Sequence, residues 1–101
     1  MTDQSPFPLQ GTSAAFEQAA LAKFKALLVI LPPDCRVYRE IWDQSTVLCL
    51  DFCRCPGQLA GMQDQVVMLL LAANHLGLAQ AISFRIGQKI KGWKSLTSTN
   101  I

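Results

Sequence analysis

The sequence predicts a small single-domain α+β sandwich, with helices packed on one face of an antiparallel sheet. Two segments place apolar residues at helical spacing, and two adjacent segments alternate apolar and polar residues with a period of two. A chain of 101 residues is long enough for one hydrophobic core. We expect the order α-β-β-α-β, followed by a further short strand, within a domain spanning residues 12–96.

The N-terminal part predicts a flexible arm over residues 1–11, because two prolines and a glycine disfavour regular structure there. Thr12 or Ser13 can cap a first helix that runs to about Ile30. Pro32 and Pro33 end it, since proline cannot donate a helical hydrogen bond. Its apolar stripe comprises Phe16, Ala20, Phe24, Leu27, Leu28 and Leu31.

Two period-two segments, Cys35–Trp42 and Val47–Cys55, predict a β-hairpin with a four-residue turn at 43–46. If Trp42 opposes Val47, apolar residues oppose apolar residues on the core face, and this agreement should define the register. Leu48, Leu50 and Phe52 form the core side of the second strand. The other side carries Val47, Cys49, Asp51, Cys53 and Cys55.

The second half of the chain predicts a helix from about Gln58 to Leu76, with Gly77 as its C-terminal cap. Its apolar positions are Leu59, Met62, Val66, Leu69, Leu70 and Ala73. A third strand follows over 82–86, and a fourth short strand is expected over 90–94. Residues 97–101 are expected to fray.

Composition predicts a cytoplasmic protein with reduced thiols and no membrane segment. The N-terminus lacks a basic stretch followed by an apolar run, so no signal peptide is expected. The most apolar window, 66–73, has eight residues, whereas a membrane span needs roughly 20. Half of the residues are hydrophobic and 16% are charged, which favours apolar contact with a partner.

Three cysteines on one strand face are the strongest concentration of reactive groups. Metal binding is disfavoured, because Cys49 and Cys53 lie too far apart on a strand to share one zinc ion with Cys55. His75, the only histidine, falls near a helix end, where a favourable end charge is its usual role. We expect no enzyme activity, no catalytic residue, no metal and no cofactor. A thiol-based redox or metal-responsive protein using Cys53 and Cys55 is the alternative.

The C-terminal part is basic, since no Asp or Glu follows Asp64. Weak nucleic-acid binding through this segment is a third hypothesis, with little support from four cations and no recognition motif. A short basic edge strand with a tryptophan instead favours binding of an extended peptide. The element order resembles that of small secretion chaperones and adaptor domains.

We therefore expect a non-enzymatic protein-interaction module, an adaptor or assembly chaperone that binds a tail or short segment of a larger protein assembly. The basic segment favours an acidic or C-terminal peptide. A homodimer formed through the same sheet face is the competing arrangement. The residues predicted to contact the partner are Tyr38, Trp42, Val47, Arg85, Ile90, Lys91, Trp93 and Lys94.

Overall fold

In the computed structural model, the described residues form three helices packed on one face of a four-stranded sheet, which confirms the α+β class. The structure describes residues 6–96, with side chains described from residue 14 onward. The elements are α1 (Pro6–Leu27), β1 (Arg36–Trp42), β2 (Ser45–Asp51), a 3-10 turn (Pro56–Gln58), α2 (Leu59–Gln63), α3 (Val66–His75), β3 (Ala81–Ile86) and β4 (Lys89–Ser95).

The sheet is mixed, whereas an antiparallel sheet was predicted. The strand order is β1-β2-β3-β4, and the central pair β2/β3 is parallel while both outer pairs are antiparallel. The parallel pairing arises because α2 and α3 carry the chain back across the sheet before β3 begins. Such a crossover returns the next strand in the same direction. The two edges of the sheet are therefore β1 and β4.

Helix α1 begins at Pro6, inside the segment predicted to be a flexible arm over residues 1–11; residues 1–5 and 97–101 lie outside the described part. Proline is tolerated there because the first turn of a helix needs no N–H donors. The helix ends at Leu27 rather than near Ile30. Of its predicted stripe, Phe24 and Leu28 are buried, whereas Phe16 and Leu27 are exposed.

The hairpin has a two-residue turn at Asp43 and Gln44, instead of the predicted four-residue turn. Trp42 pairs with Ser45, so the register differs from the prediction by two residues. Asp43 adopts a φ of 55°, a left-handed conformation that Asp accepts better than most residues. A shift of two preserves which face each side chain occupies. It also moves Ile41 to the hairpin end, where it is exposed rather than opposite Leu48.

Strand β2 ends at Asp51, so the three cysteines that were predicted to share one strand face lie in different environments. Only Cys49 lies in the strand; Cys53 falls in the following turn and is exposed, and Cys55 packs against the helix-side core. The turn closes with a hydrogen bond from the Cys55 N–H to the Phe52 carbonyl. A bend of this kind rotates the chain, so the period-two alternation cannot continue through it.

The predicted second helix is divided into α2 and α3 at residues 64–65. In α2, Met62 is buried, and the Gln63 side chain donates to the Lys91 carbonyl on β4. The C-terminal cap forms as predicted: Gly77 has a φ of 71°, and the Leu78 N–H donates to the Ala73 carbonyl. The helix-side core consists mainly of Phe24, Leu28, Leu48, Leu50, Phe52, Leu69, Leu70, Ala73, Leu78, Ile82 and Phe84.

Candidate partner-binding face

The sheet face opposite the helices, here called the open face, carries Tyr38, Trp42, Val47, Arg85 and Trp93. Its central positions on β2 and β3 are small residues, and each is almost completely buried: Val47, Cys49, Ala81 and Ser83. In the described part of the chain, the side chains that cover these positions come from the sheet itself. Large side chains on the edge strands lean over the small ones in the middle.

Arg85 is the centre of this covering layer. Its Nε donates to the Ser83 hydroxyl at 3.1 Å, so the side chain runs back along β3 toward Ser83. Its two terminal nitrogens bind the Glu40 carboxylate at 2.6 and 3.2 Å, across the intervening strand β2. The Arg85 side chain is only 11% exposed, whereas that of Glu40 is 37% exposed. This bidentate pair therefore connects β3 to β1 over the top of β2.

Aromatic rings surround the Arg85 guanidinium. It lies 5.8 Å from the ring centroids of both Tyr38 and Trp42, within the range of cation–π attraction. Trp42 in turn contacts Trp93 edge to face, with centroids 6.5 Å apart. These two tryptophans belong to the opposite edge strands, so their contact spans the sheet. The rings and the guanidinium together form one contiguous layer over the small residues of β2 and β3.

Hydrogen bonds and charge stabilise the ionised form of Glu40. The Trp42 indole N–H donates to the carboxylate at 2.9 Å. That bond first, and the Arg85 hydrogen bonds next, lower the pKa of Glu40 below its ordinary value. Burial, by contrast, raises the pKa of Tyr38, whose hydroxyl accepts a hydrogen bond from Arg85 at 3.3 Å. Glu40 is thus a structural anion and Arg85 its paired cation.

Asp51 holds the loops at one end of the open face. Its Oδ1 accepts hydrogen bonds from the N–H groups of Cys53 and Gly87, and its Oδ2 lies 3.8 Å from the Arg36 guanidinium. The turn that follows β2 and the turn of the β3–β4 hairpin are thereby joined through one nearly buried carboxylate. Beside it lies a polar groove of about 650 Å³, lined by Arg36, Tyr38, Glu40, Asp51, Cys53, Arg85, Gly87 and Gln88.

Strand β4 supplies the accessible part of the candidate site. Among residues 6–96, no strand pairs with its outer edge. The Leu96 N–H donates to the Gln80 carbonyl. Because main-chain groups of alternate residues in a strand point to the same side, those of Lys94 and Gly92 also point toward β3. The N–H and carbonyl of Trp93 therefore point outward, away from β3. A register shift leaves Lys91 as an extra residue in β4, and Gln63 donates to its carbonyl.

The predicted contact residues differ in how accessible they are. Trp93 and Ile90 are exposed on the open face of β4, at 57% and 49%, while Tyr38 and Trp42 are half-buried beside them. Val47 was expected to be accessible, but it is buried beneath the aromatic layer. The Arg85 guanidinium is paired with the Glu40 carboxylate. The two lysines differ: Lys91 is exposed at the bulge, whereas Lys94 pairs with Ile82 and lies on the helix side.

The cysteines show little of the environment that activates a thiol. Burial raises the pKa of Cys35 to about 12, and burial is also the main cause of the raised pKa of Cys49 and Cys55. A raised thiol pKa reduces the thiolate that reacts with oxidants or metals near neutral pH. Within the described residues, no three Cys, His, Asp or Glu side chains lie close enough together to hold a metal ion.

Sequence reasoning missed two features. Glu40 was not among the predicted contact residues, although its position two residues before Trp42 places both on one face and allows their hydrogen bond. Val67, Met68 and Leu71 of α3 were assigned no role, although the run at 66–73 holds more apolar residues than one buried stripe requires.

Comparison with known proteins adds no identity: no family model, curated protein or solved structure matches the chain. Among residues 6–96, no helix combines the length and apolar character needed to span a bilayer.

Proposed function

We propose that this protein is a non-enzymatic interaction module that binds an extended peptide along the outer edge of β4. The observation that carries the proposal is Trp93, a large aromatic residue that is 57% exposed on an edge strand. Tryptophan is among the residues that contribute most to protein interfaces, and an exposed edge strand can add one more strand by main-chain pairing.

The geometry of β4 supports both parts of such recognition. The outward N–H and carbonyl of Trp93 can pair with the main chain of a peptide. Alternate peptide side chains would then lie on the open face, where the rings of Trp93 and Trp42 and the side chain of Ile90 offer apolar contact. The layer beneath is already held by the Arg85–Glu40 pair, so binding would order few additional side chains.

The charges near β4 favour an acidic peptide. Lys89 and Lys91 are exposed, and no Asp or Glu lies in the chain after Asp64. Arg85 contributes little to this attraction, because Glu40 neutralises it. An acidic tail or short segment of a larger protein assembly therefore fits this edge better than an uncharged one. This is the role of an adaptor or assembly chaperone.

The proposal is tested by selecting binders from a displayed library of random peptides and mapping the best one by backbone amide NMR. We expect the selected peptides to be rich in Asp, Glu and apolar residues, and to shift the amide signals of β4. A library that gives no binder, or a peptide that leaves the β4 signals unchanged, would overturn the proposal.

Two substitutions at one position separate side-chain contact from main-chain pairing. Trp93→Ala removes the ring, and Trp93→Pro removes both the ring and the outward N–H while the bonds of neighbouring residues to β3 are retained. We expect Trp93→Ala to weaken binding about tenfold and Trp93→Pro to weaken it further. Ile41→Ala, on the exposed part of the opposite edge strand, is the matched control and should bind normally. Equal affinity of the alanine and proline variants would exclude strand addition.

The competing thiol hypothesis predicts a different result. Rapid peroxide oxidation confined to Cys53 and Cys55 would support redox sensing, and stoichiometric zinc in the purified protein would support metal response. The raised pKa of Cys55 argues against both.

A further inference from the structure

Helix α3 presents an apolar surface on the side that faces away from the sheet. Leu69, Leu70 and Ala73 are buried against the core. Val67, Met68 and Leu71 are nevertheless 54%, 41% and 57% exposed. Leu71 lies three residues after Met68 and four after Val67, so these three side chains, called here the α3 ridge, lie side by side on the helix. Contiguous apolar surface of this kind commonly marks an interaction site.

A groove of about 590 Å³ lies beside the α3 ridge. It is lined by Ile30, Gly57, Gln58, Gly61, Met62, Gln65 and Met68. Gly61 leaves it open, since a Cβ at that position would meet no atom within 4 Å. Ile30 on its far wall is exposed, as is Val29 next to it in sequence. One surface thus combines a projecting apolar ridge with an adjacent apolar depression.

The charge distribution permits this surface to contact a second copy of itself. Residues 56–75 contain one acidic residue, Asp64, and no lysine or arginine. Asp64 precedes α3, and His75 is its last residue. In an antiparallel pair of α3 helices, Asp64 of each copy lies at the end occupied by His75 of the other, and the two Asp64 carboxylates lie at opposite ends. No like charges are brought together across the centre.

We propose that two copies of this chain associate through α3 in a two-fold symmetric dimer, with the ridge of each copy packed in the groove of the other. A two-fold interface requires a surface to be complementary to itself, and a ridge beside a groove meets that requirement. This dimer uses the helix layer, on the opposite side of the sheet from the open face. It therefore leaves β4 free for a peptide and does not depend on the proposed function.

Sedimentation equilibrium of the full chain tests the association. Over loading concentrations of roughly 1 to 100 µM, we expect the average mass to rise toward twice the chain mass of 11.1 kDa. Leu71→Glu should keep the protein at the monomer mass, because it places a charge in the centre of the interface. Ile41→Glu, an equally drastic change on an exposed residue of β1, should dimerise like wild type. A wild-type protein that stays monomeric over the whole range would overturn the proposal.

A second variant distinguishes the ridge-in-groove geometry from unspecific apolar adhesion. Gly61→Phe projects a ring into the groove from a position where the added Cβ would meet no atom within 4 Å. If the partner's ridge occupies the groove, the dimer dissociation constant should rise about tenfold or more. If the two surfaces adhere without specific packing, the added apolar area should leave the dissociation constant unchanged or lower it. Either of those results would contradict the proposed packing. An unchanged circular-dichroism spectrum and a cooperative unfolding transition show that each variant is folded. A dimer abolished by Trp93→Ala but not by Leu71→Glu would place the interface on the open face and overturn the proposal.

Discussion

The Arg85–Glu40 pair provides the sharpest test of how the open face is held together. Replacing Glu40 with Gln keeps the size of the side chain and an oxygen that can accept from Trp42, but it removes the negative charge. Arg85, at 11% side-chain exposure, then loses its counter-ion while water reaches it poorly. The perturbation is therefore mainly electrostatic, with little change in packing.

The expected cost lies between two limits. An exposed ion pair contributes about 0–1 kcal/mol, and breaking a buried pair costs about 3–5 kcal/mol. Glu40 is 37% exposed, so solvent screens part of the interaction, yet the bidentate contact at 2.6 and 3.2 Å is close to ideal. We expect Glu40→Gln to lower the free energy of unfolding by about 2 kcal/mol.

Urea unfolding followed by tryptophan fluorescence measures this change. For a chain of this size the urea midpoint should fall by about 1 M or slightly more. Glu17→Gln is the matched control, because the Glu17–Arg39 pair at 3.2 Å connects α1 to β1 with 29% of the Arg39 side chain exposed. It should cost less than about 1 kcal/mol. If both variants cost the same, Arg85 does not depend on its counter-ion and our account of the open face is wrong.

Three further predictions concern pH, core packing and thiol reactivity. Folding lowers the pKa of Glu40, so the ionised carboxylate stabilises the folded protein fully above the ordinary pKa of 4.5. This contribution is lost as the pH falls through the lower pKa of the folded state. In acid titrations, the difference in unfolding free energy between wild type and Glu40→Gln should therefore shrink over that pH window. Leu69→Ala should cost about 3 kcal/mol in urea unfolding, while Leu71→Ala, the same change at an exposed site two residues away, should cost under about 1 kcal/mol; equal costs would contradict the orientation of α3. Alkylation of the native protein, followed by mass spectrometry, should label exposed Cys53 first and buried Cys35 last, and an early reaction at Cys35 would contradict its burial.

Local sequence signals predicted several elements well because their causes are local. Gly77 followed by Leu78 predicted the end of α3, since the left-handed turn and its hydrophobic contact involve only neighbouring residues. Alternation on β2 placed Leu48 and Leu50 in the core and Cys49 on the other face. An error of two residues in the hairpin register left these assignments unchanged, because facing depends only on whether a shift is odd or even.

The candidate site depended on contacts between residues far apart in sequence. Arg85 was expected to face a partner, but it binds Glu40, 45 residues earlier, because the parallel crossover places β3 next to β2. The same arrangement lets Trp42 meet Trp93 across the sheet, and it buries Val47 in the small cluster against which Tyr38 and Trp42 pack. No local pattern encodes which strands become neighbours, so exposure could not be inferred from alternation alone.

By itself, the sequence determined the α+β class, the assignment of strand residues to two faces, the cap of α3 and the basic character of the last strand. These follow from side-chain periodicity, backbone preferences and composition. The tertiary structure alone decided that the sheet is mixed, that Arg85 is neutralised, that the cysteines disperse, and that part of α3 remains uncovered. Each of those depends on which surfaces meet after the chain closes on itself, which is a property of long-range packing.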